Sequence, residues 1–150
     1  MNRKSTQHIG SAGELLVQYK LLKFGVDSAA MTTDSGIDLV AYSPRNQRPY
    51  TIQVKSKGNP THGGGRGKLS LVWDLRDDSP ADLVVVTDLS TDSAWLFTHK
   101  EYEKYAQQHS EKGMLKFYMY VDETVNTKKE KALLSQFEEY RLENRIDTFF

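Results

Sequence analysis

The sequence predicts a mixed α/β fold, a mixed central β-sheet flanked by helices, and three features carry that prediction. Helical and strand periodicities follow one another in the order helix, three strands, irregular loop, two strands, helix, strand, helix. The run DLVVVT at 82–87 is apolar at successive positions, the mark of a strand covered on both faces. Segment 50–57 has two unlike faces, with Ile52, Val54 and Ser56 on one and Thr51, Gln53, Lys55 and Lys57 on the other.

Residues 11–24 read as a helix with apolar side chains on most sides, which implies packing against more than one partner; Gly25 supplies its left-handed stop. Residues 26–31 form a short strand, TTDSG a turn, and residues 37–42 a second strand ended by SPRNQRP. Beyond the strand at 50–57, GNPTHGGGRGK is too rich in glycine for regular structure. Strands are expected at 69–73, 82–87 and 94–97, and the capping box Thr98–Glu101 opens a helix to about His109. A strand at 114–121 precedes a charged amphipathic helix over 128–146, with Leu133, Phe137 and Tyr140 on one stripe.

A chain of 150 residues fits one domain, with segment 110–150 available for oligomerisation. The absence of cysteine excludes disulfide scaffolds, thiolate zinc sites and thiol nucleophiles, and the four histidines show no metal-ligand spacing. No apolar run is long enough for a membrane span and the start lacks a signal-peptide core, so a cytoplasmic protein is expected. Zero net charge hides an asymmetry: residues 1–68 carry +6 and residues 69–150 carry −6. The first half is therefore the candidate surface for a polyanion.

Four polar residues stand inside otherwise apolar elements: Glu14 in the first helix, Asp38 in the second strand, and Gln53 and Lys55 side by side on the third. Buried charge is costly unless it is paired or binds an ion, so a shared site is the economical explanation. Two carboxylates, an amide oxygen and a backbone carbonyl make an all-oxygen environment suited to Mg²⁺ with several waters, with Mn²⁺ as a substitute. An adjacent ammonium could hold a water and stabilise charge developing on phosphate. Each residue alone also has a plainer role: Glu14 as a solvated first-turn acid, Asp38 as a turn acceptor beside the better placed Asp34, and Gln53, Lys55 and Lys57 as a wet strand face.

In order and on these elements, G-S-A-G-E (Glu14), S-G-I-D (Asp38) and I-Q-V-K (Gln53, Lys55) resemble the PD-(D/E)XK nuclease superfamily. The resemblance implies Mg²⁺-dependent hydrolysis of DNA. It implies Asp38 as principal metal ligand, Glu14 as a further ligand, Lys55 as the group that orients water, and the Val54 carbonyl as completing the shell. Gln53 stands where most relatives carry an acid. The Q-x-K form resembles small intron-encoded homing endonucleases of cyanobacteria, which implies a homo-oligomer, dimer or tetramer, acting on double-stranded DNA. Lys57, Arg66 and Lys68, with Arg45 and Arg48 of the SPRNQRP turn, are the expected DNA contacts. A junction-resolving or restriction-type nuclease, and a catalytically silent DNA-binding module, are the alternatives.

Overall fold

The computed structural model describes residues 4–150. Helix α1 spans Thr6–Lys23, starting five residues before the expected point because Ser5 caps it and exchanges capping-box hydrogen bonds with His8. Gly25 ends it at φ +77°, a conformation that glycine adopts without strain.

The central sheet has the order β1-β2-β3-β6-β7. Strands β1 (Asp27–Ala30), β2 (Leu39–Tyr42) and β3 (Pro49–Lys57) form an antiparallel meander, β6 (Leu83–Asp88) runs parallel to β3, and β7 (Ser93–Thr98) returns antiparallel. The fold is thus mixed α/β with a mixed sheet. A second, antiparallel sheet has the order β4-β5-β9-β8, from β4 (Thr61–His62), β5 (Leu69–Arg76), β8 (Gln108–His109) and β9 (Met114–Tyr120).

Strand alternation makes β6 and β7 contribute to two cores. Val85 and Leu96 face α1 and the terminal helix α3 (Leu142–Phe149), packing with Val17, Leu21, Ile52 and Ile146. Val86 and Phe97 face the second sheet and α2 (His99–Tyr105), packing with Trp73, Phe117 and Tyr102. Two buried hydrogen bonds fasten these layers: Trp73 Nε1 donates to the Thr87 carbonyl at 3.1 Å, and the Tyr102 hydroxyl donates to the Trp73 carbonyl at 2.8 Å.

Several expectations are corrected. The glycine-rich stretch is partly regular, because β4 pairs with β5 and a 3₁₀ turn at Gly63–Gly65 forms the hairpin tip. Helix α2 stops at Tyr105, since Gln108 and His109 are drawn into pairing with β9. No single helix covers 128–146: a 3₁₀ segment (Leu134–Tyr140) is kinked at Phe137, and α3 follows after the extended Arg141, which bridges to Trp95. Arg141 sits at ψ 138°, so helical hydrogen bonding cannot run through it. Asp38 lies just outside β2, although its N–H still bonds the Ile52 carbonyl. The terminal Phe149 and Phe150 fold back edge-on against Tyr50, and Phe150 is buried.

Candidate functional site

The site follows from how β2 starts. Because β2 begins only at Leu39, the edge of β3 beyond Ile52 has no neighbouring strand on that side. The Val54 N–H that would have joined the ladder instead donates to Asp38 Oδ2 at 2.7 Å. A strand residue's N–H and C=O leave the same edge, so the Val54 carbonyl faces the same gap as the Asp38 carboxylate.

Helix α1 closes the other side of this gap. Gly13 lets it approach β3: a Cβ there would stand 1.7 Å from Ser56 Oγ and 2.7 Å from Ser56 Cβ. The next residue, Glu14, consequently lines the mouth. The resulting cleft of about 610 Å³ gathers Glu14, Asp34, Asp38, Gln53, Val54 and Lys55. All residues expected at the hydrolytic site from sequence are therefore brought together, and Asp34 joins them. Sequence reasoning had assigned Asp34 to the turn; the signal it offered was a second acid four residues before Asp38 on the same short connection.

The electrostatics fit a cleft in which three carboxylates, Glu14, Asp34 and Asp38, outnumber the single ammonium of Lys55. Burial, then the charges of Asp38 and Asp34, hold the Glu14 carboxyl above the usual range. Burial also raises Asp38, against the opposing pull of the Val54 N–H and the Lys55 ammonium, with Asp34 adding to the rise. A divalent cation would relieve this crowding. Among the described residues no three acidic or histidine side chains form a metal cage by themselves. The donor set still fits Mg²⁺, which commonly takes one or two carboxylates and keeps several waters. Asp38, Glu14, Asp34 and the Val54 carbonyl are oxygen donors that line the cleft.

Gln53 departs from the wet-face expectation, being only 9% exposed. Its Oε1 accepts a 2.6 Å hydrogen bond from the Ser79 hydroxyl, a contact that sequence reasoning missed, since DDSPAD shows no periodicity to flag Ser79.

The basic residues divide into two groups. Lys57 is exposed at the end of β3, and Arg66 and Lys68 lie exposed on the β4–β5 hairpin, where Lys68 meets Asp122 at 3.7 Å. Arg45 and Arg48 lie toward the opposite end of β3, where Arg45 pairs with Asp147 at 3.6 Å and Arg48 covers the Tyr50 ring at 4.6 Å. At about 3.3 Å per strand residue, Arg48 is roughly 20 Å along the chain from Val54, so this pair is not part of the cleft.

No protein-family model matches the chain, and no curated protein matches its sequence. Among solved structures it is similar to the bacterial homing endonuclease I-Ssp6803I, with a TM-score of 0.63 and 17% sequence identity, over 95% of this chain and 91% of that one. The likeness at this identity is one of fold, and it spans both sheets and their helices.

Proposed function

We propose that the protein is a Mg²⁺-dependent DNA endonuclease of the PD-(D/E)XK type, with intron homing as its role. The observation that carries this reading is the cleft itself: Asp38, Glu14 and the outward Val54 carbonyl stand beside Lys55, at a sheet edge left open by the late start of β2. The fold shared with a protein described as a homing endonuclease supports it.

In this mechanism Asp38 and the Val54 carbonyl would hold the cation, with Glu14 as a further ligand or water anchor. The cation, when bound, supplies Lewis acidity and a nucleophilic water at neutral pH. Asp38 lines the cleft and is kept in place by the Val54 N–H, which engages Oδ2 and leaves Oδ1 uncommitted among the described residues. The Lys55 ammonium orients the attacking water and neutralises charge that builds on the phosphorus oxygens. Lys57, Arg66 and Lys68 hold the phosphate backbone on the side of the cleft, while Arg45 and Arg48 provide a more distant contact along the duplex.

Cutting both strands of a duplex needs two sites or a reorientation of one, and a homo-oligomer is the economical arrangement. Phe150 is buried within its own chain, so this apolar terminal residue is not free for a contact between copies. The exposed Leu15, Tyr19 and Leu22 of α1 form an apolar stripe that favours self-association.

The test is incubation of purified protein with supercoiled plasmid and with a four-way junction, in Mg²⁺, Mn²⁺ or EDTA. Wild-type protein should nick or linearise plasmid only with a divalent cation. Asp38→Asn and Lys55→Met should each lose on the order of 100-fold in rate. Binding without cleavage under every cation would show a silent module instead, and preferential cutting of the junction would make this a resolving enzyme.

A further inference from the structure

We propose that Ser79 is a positioning residue that fixes the direction of the Gln53 carboxamide, so that position 53 meets a bound phosphodiester with an N–H donor and is not a cation ligand. The proposal rests on the reading of the cleft as a phosphodiester-cleaving site and changes the role of one of its residues.

Gln53 separates two concavities. In front is the cleft with the carboxylates and Lys55; behind is a smaller one of about 390 Å³ bordered by Gly36, Arg76, Ser79 and Pro80. The Ser79 hydroxyl donates to Oε1 from the rear at 2.6 Å, which is the one hydrogen bond of this side chain among the described residues. A carboxamide is planar and its oxygen and nitrogen diverge, so committing Oε1 to the rear turns the two Nε2 hydrogens toward the front. Gln53 Nε2 is not among the buried side-chain atoms left without a partner, so this donor reaches the open cleft and is free to meet a ligand there. A non-bridging phosphate oxygen is an acceptor that satisfies it, and it gains from carrying charge.

Ser79 is held firmly enough to direct its partner. Its N–H bonds the Arg76 carbonyl at 3.1 Å, closing a tight turn. The following Pro80 abuts Gly36, where a Cβ would stand 2.9 Å from Pro80 Cδ and where φ is +85°. The loop that carries Ser79 is thereby locked to the loop that carries Asp34. Asp34 also makes an acid at position 53 unnecessary, because the cleft already gathers three carboxylates, and a fourth would face the phosphate it has to receive.

The experiment compares Mn²⁺ binding to DNA-free protein, read from the loss of the free-ion electron spin resonance signal, with plasmid-nicking kinetics. Wild type, Ser79→Ala, Ser79→Thr, Gln53→Ala and Asp38→Asn are measured, each checked for folding by circular dichroism. Ser79→Ala and Gln53→Ala should keep Mn²⁺ affinity within about twofold of wild type while kcat/KM falls about tenfold, the worth of one hydrogen bond to a charged group. Ser79→Thr, which retains the hydroxyl, should restore most of the rate. Loss of Mn²⁺ affinity in Gln53→Ala or Ser79→Ala as large as in Asp38→Asn would overturn the proposal, since Gln53 would then be a ligand. Unchanged nicking in Ser79→Ala would overturn it as well. Should Asp38→Asn bind Mn²⁺ as tightly as wild type, the underlying reading of the cleft fails, and that result is distinct from both.

Discussion

Two glycines three residues apart on α1, Gly10 and Gly13, predict opposite outcomes for the same substitution. At Gly13 an added methyl would stand 2.7 Å from Ser56 Cβ and 3.2 Å from Thr87 Oγ1, and the first of these atoms is fixed to the backbone of β3. Rotating Ser56 cannot relieve the overlap, so the helix has to lift off the sheet. Alanine gains up to about 1 kcal/mol over glycine in a helix interior. Overpacking costs about 1–3 kcal/mol, and with a backbone-anchored clash the net loss for Gly13→Ala should be about 2 kcal/mol. At Gly10 nothing lies within 4 Å of the added methyl, so Gly10→Ala should stabilise by roughly 0.5–1 kcal/mol.

Urea unfolding reads both changes. For a slope of about 2 kcal/mol per molar, the Gly13→Ala midpoint falls by about 1 M. Ser56→Gly in the same background removes the Ser56 Oγ and Cβ contacts and should recover part of the loss, giving a favourable coupling in the double-mutant cycle. Because Gly13 immediately precedes Glu14, Gly13→Ala should also weaken Mn²⁺ binding. A Gly13→Ala protein as stable as wild type would refute the close approach of α1 to β3, and with it the placement of Glu14.

Three further outcomes are expected. Asp38 and Glu14 have raised values in the folded protein, so in EDTA their contribution favours folding below the usual carboxylate range and is lost as pH rises through those values; Asp38→Asn should flatten this part of a stability–pH curve measured by urea midpoints. Mg²⁺ at about 100 times its Kd should stabilise wild type by about 2.7 kcal/mol in the same measurement, and Asp38→Asn should lose most of that gain. Burial pushes Glu101 upward, but its paired hydrogen bonds from Arg145 at 2.7 and 3.0 Å and its bond from the Thr98 N–H outweigh this and leave it lowered. Its contribution is therefore present above the usual glutamate range and lost as pH falls through its folded value; Glu101→Gln should cost about 1–2 kcal/mol at neutral pH by thermal melting.

The strands and the cleft residues could be read from sequence because strand periodicity is short and each segment carried its own pattern. Gln53 and Lys55 share one face of β3 as strand alternation predicts, and the burial of Gln53 sets aside the plainer alternative of a wet face there. Its burial comes from Ser79, a residue 26 positions away that local pattern cannot bring near. Asp34 was hidden for a related reason, since the acid of a turn and the acid of a cleft look alike until the connection folds over β3. The C-terminal region misled most. Leu133, Phe137 and Tyr140 have helical spacing, but Phe137 packs into the second core from a 3₁₀ kink and Arg141 is held extended by its bridge to Trp95. Tertiary pairing there overrode a periodicity that was only locally persuasive.

The bond between the Val54 N–H and Asp38 makes one carboxylate serve also as a plug for an unfinished sheet. Replacing Asp38 with alanine strips that plug and leaves a naked donor on a strand margin, an invitation to intermolecular β-pairing. A precipitating alanine mutant would thus report on sheet hygiene as much as on hydrolysis. Asparagine, which can keep an oxygen at the same spot while shedding the charge, is the cleaner knockout for this protein.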